Sequence, residues 1–182
     1  MAVRPLVSHK DSILRTPTLP FDFANPPMDP VQLYNDLAET MLHHNGLGLA
    51  ANQIGVPYAV FVIRSDPVLG FFNPRMVDLS GDLVALDEGC LTYPGVIVPV
   101  ARYRQARMRF QQADGSIRTE VFRDITAKVV QHEFGHLKGE VFANDVPAME
   151  LALAIKKAKK KTGKSYLIGD LRNVAHSLEI PS

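Results

Sequence analysis

Residues 131–136 read Gln131-His132-Glu133-Phe134-Gly135-His136. On a helix, positions i and i+4 share one face, so the imidazoles of His132 and His136 can reach a single metal ion. Glu133 stands beside them, where its carboxylate can act on water at that ion. The pattern points to metal-assisted hydrolysis. It also decides the class of fold, because segments with strand character precede this helix. The expected architecture is therefore α+β, with mostly antiparallel sheets packed around a central metal-binding helix and an additional C-terminal helix.

Working outward, residues 107–111 and 117–122 flank the turn dipeptide Asp114-Gly115 and read as a hairpin. Asp124 is expected to cap the metal helix, which should end near Gly139. Further upstream, residues 58–63 and the short segments at Phe71-Phe72, 76–79 and 96–100 read as strand, with interruptions at Asn73-Pro74 and Pro99. Asp29-Pro30 opens an earlier helix, with Asp29 as N-cap and Pro30 in the first helical position. Its apolar stripe is read as Val31, Tyr34, Leu37, Ala38, Met41 and Leu42, and Asn45-Gly46 stops it. The first 28 residues carry five prolines and are expected to wrap the domain as extended chain. Downstream, residues 147–161 form a last long helix, and a short helix is expected over residues 170–178. The domain expectation is a catalytic unit at 1–146, with 147–182 a helical extension of the same domain.

Composition narrows the partners. At 182 residues with 46% hydrophobic and 21% charged residues, the chain suits one folded domain. A net charge of +1 gives no global attraction to nucleic acid or membrane. A single cysteine excludes an internal disulfide framework and fits a reducing compartment. Residues 1–11 hold no apolar core of signal-peptide length, and no stretch has the ~20 apolar residues of a membrane span. A cytoplasmic protein, or one in an organelle matrix after processing, is expected, and nothing demands more than a monomer.

Two histidines leave a catalytic site one ligand short, since such sites take three protein ligands and keep a position for water. The candidates are Cys90, His43, His44, Asp124, Glu140 and Asp145. Cys90 is favoured because a thiolate binds borderline metals well and Gly89 beside it permits close backbone approach. The alternative is that Cys90 is simply a small buried hydrophobe. His43 and His44 read as a solvated helix end, and His9 and His176 carry no signal. The run Lys156-Lys157-Ala158-Lys159-Lys160-Lys161 is either another solvated helix end or a docking site for an acidic partner.

Three stretches together resemble the peptide deformylase family: Gly46-Leu47-Gly48-Leu49-Ala50-Ala51-Asn52-Gln53, Glu88-Gly89-Cys90-Leu91-Thr92, and the segment from Gln131 to His136. The resemblance covers roughly residues 1–145. It implies that Cys90, His132 and His136 bind one divalent metal, with Fe(II) the physiological ion and zinc or nickel able to substitute. It implies that Glu133 is the proton carrier and that Gln53 and the backbone N–H of Leu91 stabilise an oxyanion. The implied reaction removes formyl from N-formylmethionine of newly made polypeptides. Leu47, Leu91, Val129 and His132 are then expected to line the methionine pocket. Gly48 and Gly89 are expected to let backbone approach the substrate, with Gly46 and Gly48 offering an added-strand pairing. The basic helix would face the ribosome.

The chain departs from the family pattern at Gly135, where aspartate is usual, and at Thr92, where serine is usual. Glu88 with Arg102 is the expected replacement for the missing carboxylate. Two other functions fit parts of the sequence. One is a general metallopeptidase whose third ligand comes from beyond the helix. The other is an inactive ribosome-binding relative, which only Gly135 favours.

Overall fold

The computed structural model describes residues 2–172. Five strands form one antiparallel sheet in chain order: β1 (Gly48–Ala50), β2 (Val60–Ile63), β3 (Leu69–Gly89), β4 (Ile97–Gln111) and β5 (Ile117–Arg123). Three helices accompany it: α1 (Pro30–His43), α2 (Asp124–Leu137) and α3 (Ala148–Thr162). This is the expected α+β class, built on a single antiparallel sheet.

The short strand β2 shows how the layers form. All four of its residues are buried. Alternate side chains of a strand point to opposite faces. Val60 and Val62 pack with Leu33, Leu37 and Met41 of α1. Phe61 and Ile63 pack with Phe71, Phe110, Phe122 and the α2 residues Ala127 and Val130. The sheet is thus clamped between α1 and α2, and α2 is central. A third apolar cluster joins α3, through Leu151, Ala154 and Ala158, to Val96, Val98 and Phe142.

Asp29 caps α1, its carboxylate accepting from the N–H groups of Val31 and Gln32. The buried stripe of α1 runs through Leu33, Leu37, Ala38 and Met41, while Val31 and Leu42 face solvent. This corrects the expected stripe by bringing in Leu33, which shares the four-residue spacing of Leu37 and Met41.

Two strand expectations are also corrected. The pieces expected at 71–72 and 76–79 belong to one 21-residue strand. Pro74 survives inside it because the β2–β3 pairing ends at Phe72, where the β3–β4 register also shifts. Asn73 adopts φ +48, and its side chain accepts from Phe21 N–H and donates to Phe21 O and Gln111 Oε1. The segment at 96–100 is likewise the start of the 15-residue β4. Pro99 pairs with Asp87 in a stretch where β4 has β3 as its neighbour and β5 has not yet begun.

Asp124 does not cap α2. Arg123 occupies the N-cap, without a side-chain bond, and Asp124 takes φ +50. The physical reason is the absence of a loop: β5 runs directly into α2, and Asp124 makes the turn itself. Its carboxylate points outward, 3.6 Å from Arg104 Nε. At the C-terminal end, Ile168–Leu171 forms one 3-10 turn, and the rest of the helix expected at 170–178 lies outside the described residues. No helix among the described residues is long and apolar enough to cross a membrane.

Candidate active site

Helix α2 is stapled to the sheet one residue before the first histidine. The Gln131 amide donates to Tyr103 O at 2.8 Å and to Ala127 O at 2.9 Å, and its oxygen accepts from Tyr103 N–H. This fixes the rotation of the helix, and with it the direction of His132, Glu133 and His136. All three are buried.

Cys90 follows the last residue of β3 and arrives opposite the two imidazoles. Its sulfur lies 3.3 Å from His136 Nε2. One donor atom from each of Cys90, His132 and His136 falls within 4.8 Å of the other two. Among the described residues this is the one group of that kind. Of the other candidates for the third ligand, His43, His44, Asp124, Glu140 and Asp145 stand apart from it. The donor set fits a borderline divalent metal: one thiolate and two imidazoles, with room left in the cavity in front.

Without a metal, the thiol and the imidazoles share protons among themselves. Burial alone would push the Cys90 thiol up, but the imidazoles of His136 and His132 hold it well below the usual thiol range. His132 moves the other way. Burial disfavours its charge, yet hydrogen bonds to Cys90 and Glu88 raise it to about 10. Behind it, His132 Nδ1 lies 3.0 Å from Glu88 Oε2. Arg102 grips the same carboxylate with two N–H groups, at 2.9 and 3.0 Å. Burial pushes Glu88 up, but the bonds from His132 and Arg102 outweigh it and bring the carboxyl to about 2. A carboxylate behind a ligating histidine fixes the ring orientation and leaves Nε2 for the metal.

At Gly135 a Cβ would stand 3.4 Å from Glu140 Oε2, an ordinary contact, so the Glu140 carboxylate lies over this face of the helix without requiring glycine there.

Glu133 has the opposite environment from Glu88. It is 4% exposed, and Oε2 has no hydrogen-bond partner among the described residues. Burial raises its carboxyl to about 7, against the pull of His132 and His136. Its position depends on Gly48. A Cβ at residue 48 would stand 2.4 Å from Glu133 Oε1. Strand β1 therefore has a glycine there to make room for the Glu133 carboxylate.

Gln53 sits in a 3-10 turn after β1 and is 2% exposed. Its oxygen accepts from Ala50 N–H at 2.9 Å, which turns the amide nitrogen inward. That nitrogen donates to Thr92 Oγ1 at 3.0 Å and lies 3.5 Å from Cys90 Sγ. The hydroxyl of Thr92 is thus in use. The backbone N–H of Leu91 has no partner among the described residues.

These groups open onto a cavity of about 870 Å³. Leu47, Gly48, Gly89, Leu91 and Val129 all line it. So do residues that sequence reasoning passed over. His9 from the N-terminal segment and Lys164 to Tyr166 from beyond α3 form part of its wall. His9 begins the segment His9 to Arg15, whose sequence resembles the opening of the deformylase family, but no periodicity or motif marks Lys164 to Tyr166, which reach the cavity only through the tertiary fold. The His9 and Tyr166 rings are 5.1 Å apart, and Arg15 donates to Asp170 O.

With this geometry in hand, the comparisons with known proteins are specific. The sequence model described as polypeptide deformylase matches residues 3–151. A peptide deformylase of Bartonella tribocorum is 32% identical over 170 residues, covering 88% of this chain and 94% of the relative. The crystal structure of a Synechococcus elongatus peptide deformylase in complex with actinonin superposes with a TM-score of 0.82. It is 29% identical and covers 96% of this chain and 93% of its own. An Acinetobacter baumannii class I type b peptide deformylase bound to Met-Ala-Ser gives 0.72 at 27% identity, over 78% of this chain and 97% of that one. The buried thiol, the paired imidazoles and the neighbouring acid are therefore those of a chain that belongs to the polypeptide deformylase family.

Proposed function

We propose that this chain hydrolyses the formamide bond of N-formylmethionine on newly made polypeptides, releasing formate. The observation that carries this reading is Glu133: a buried carboxylate with one unpartnered oxygen, beside a cysteine and two histidines that converge on one point.

Cys90, His132 and His136 would hold one divalent metal. When bound, it would supply a Lewis acid for the formyl carbonyl and lower the pKa of water. We assign Fe(II) as the physiological ion, with zinc or nickel able to replace it. The thiolate lowers the effective charge of the site, which suits iron and makes the centre sensitive to oxidation.

The chain's own residues then divide the proton and charge work. Glu133, raised to about 7, accepts a proton from the attacking water near neutral pH. It passes that proton to the amine nitrogen as the C–N bond breaks. The Gln53 amide and the Leu91 N–H face the carbonyl oxygen as negative charge grows on it. Each such donor is typically worth ~3 kcal/mol in the transition state. Leu47, Leu91 and Val129, with the His132 ring, give the methionine side chain an apolar wall, while Gly48 and Gly89 lie close to the substrate backbone. Among the described residues strand β1 pairs with β2 alone, so its other edge could take an extended peptide.

We also assign the basic end of α3 to the ribosome. Lys156, Lys157, Lys159, Lys160 and Lys161 are all exposed, while Leu151, Ala154 and Ala158 hold the helix to the domain. On this reading residues 147–182 extend the catalytic domain 1–146. The protein acts as a monomer in the cytoplasm, or in an organelle matrix, where its substrate is made.

The test is release of formate from formyl-Met-Ala-Ser by anaerobically iron-loaded protein, run beside a peptide with an unformylated N-terminus. Turnover of the first alone supports the reading. Cleavage of internal bonds in the second would make the chain a general peptidase.

A further inference from the structure

The cavity is larger than one methionine residue requires, and its charges are sorted by depth. The two acids in its lining, Glu88 and Glu133, are buried at the back. Glu88 is already neutralised by Arg102 and His132. The lysines in the lining are Lys128 and Lys164, and both reach solvent. Lys128 donates to the carbonyl oxygen of Asp87, a neutral acceptor that leaves its charge uncompensated. Lys164 makes no ion pair among the described residues.

Both lysines line the cavity beside the tip of the β3–β4 ribbon. Lys128 lies over Asp87, two residues before Gly89, and Gly89 pairs with Ile97. Lys164 belongs to the segment that closes over Gly95 at the tip. A Cβ at Gly95 would meet Thr162 Cγ2 at 2.8 Å, and Lys164 N–H bonds to Thr162 Oγ1. The segment is anchored: Tyr166 is 6% exposed, donates to Pro94 O, and packs against the His9 and Tyr93 rings. Its backbone is held before a ligand arrives, which lowers the ordering cost of any contact Lys164 makes. This wall lies beyond residue 151, where the match to the family ends.

We propose that Lys164, with Lys128, forms a cationic rim that selects polypeptides bearing acidic side chains just after the formyl-methionine and its neighbour. The inference rests on the deformylase reading and adds a substrate preference to it. A peptide that leaves Cys90 and His132 through this cavity would run along the wall that holds Lys128 and Lys164. An acidic side chain there gains attraction, and a basic one meets repulsion.

The experiment compares kcat/KM for three amidated peptides: formyl-Met-Ala-Glu-Glu-amide, its Gln-Gln counterpart and its Lys-Lys counterpart. Amidation leaves side chains as the one source of charge that differs. The wild type should prefer the acidic over the basic peptide, by about two- to fivefold for each exposed charge pair formed. Added salt should shrink that ratio. Lys164→Met should reduce it, Lys164→Arg should keep it, and Lys164→Met with Lys128→Met should bring it to one. A ratio of one in the wild type overturns the inference while turnover of the neutral peptide leaves the deformylase reading standing. So does a ratio that the double variant does not change. Absence of turnover with every formyl peptide would remove both.

Discussion

Two sides of the His132 ring have opposite designs. Behind it, Glu88 and Arg102 form a closed set, with every carboxylate oxygen bonded and the carboxyl brought to about 2. In front, Glu133 is also buried, but its Oε2 has no partner among the described residues and the carboxyl is raised to about 7. The same side-chain chemistry gives a permanent charge on one side and, on the proposed reading, a proton carrier on the other. Hydrogen bonds to the charged form make the first, and desolvation without partners makes the second. The lesson is that burial alone does not decide a carboxylate's task; what it is bonded to does.

That contrast can be broken from either side. The largest effect is expected where both sides meet the metal. Cys90→Ser should abolish tight retention of iron and with it turnover, measured by metal content after desalting under anaerobic conditions. Unchanged metal content would remove Cys90 from the site.

The front side comes next. Gly48→Ala places a methyl group where Glu133 Oε1 now lies. A displacement of that size should cost on the order of 10²-fold in kcat, with iron still bound. Full activity would show that Glu133 does not need its observed position.

On the back side, Glu88→Gln should weaken iron binding by roughly 10–100-fold, read by competition with a chelator. It should also change acid stability, and the sign is fixed. Glu88 has a folded value of about 2 against an ordinary 4.5. Its stabilisation is complete above the unfolded value and is lost as pH falls from about 4.5 towards 2. The difference in urea midpoint between wild type and Glu88→Gln should therefore be large near neutral pH and shrink in acid. A constant difference across that window would contradict the assignment.

The smallest effect belongs to α3. Replacing Lys156, Lys157, Lys159, Lys160 and Lys161 with glutamine should leave catalysis intact. Ribosome co-sedimentation should weaken and lose part of its salt dependence. Equal co-sedimentation would return these lysines to the role of a solvated helix end.

Much of this was legible from residues alone. The spacing of His132 and His136 needs only helix geometry, and Asp29-Pro30 marks the start of α1 by local chemistry. Glu88 and Arg102 were paired in the sequence reading as a replacement for the carboxylate absent at Gly135; they do bond to each other, but the acid nearest Gly135 is Glu140. What stayed hidden is non-local. The continuity of β3 past Pro74 depends on which neighbour strand has already ended. Asp124 looks like a cap but becomes a strand-to-helix turn because no loop separates β5 from α2. Gly48 reads as a place for substrate backbone, yet its nearest demand is the Glu133 carboxylate. The wall from His9 to Tyr166 joins the two ends of the chain, and no local pattern announces such a contact.

The most direct measurement is paired metal content and formyl-Met-Ala-Ser turnover for wild type and Glu133→Gln, both loaded with iron anaerobically. One iron per chain in each protein is expected, with turnover of the variant lower by about 10²–10⁴-fold. Full turnover by the iron-loaded variant, or its failure to hold iron, would contradict the assignment of Glu133 as the proton carrier of a three-ligand metal site.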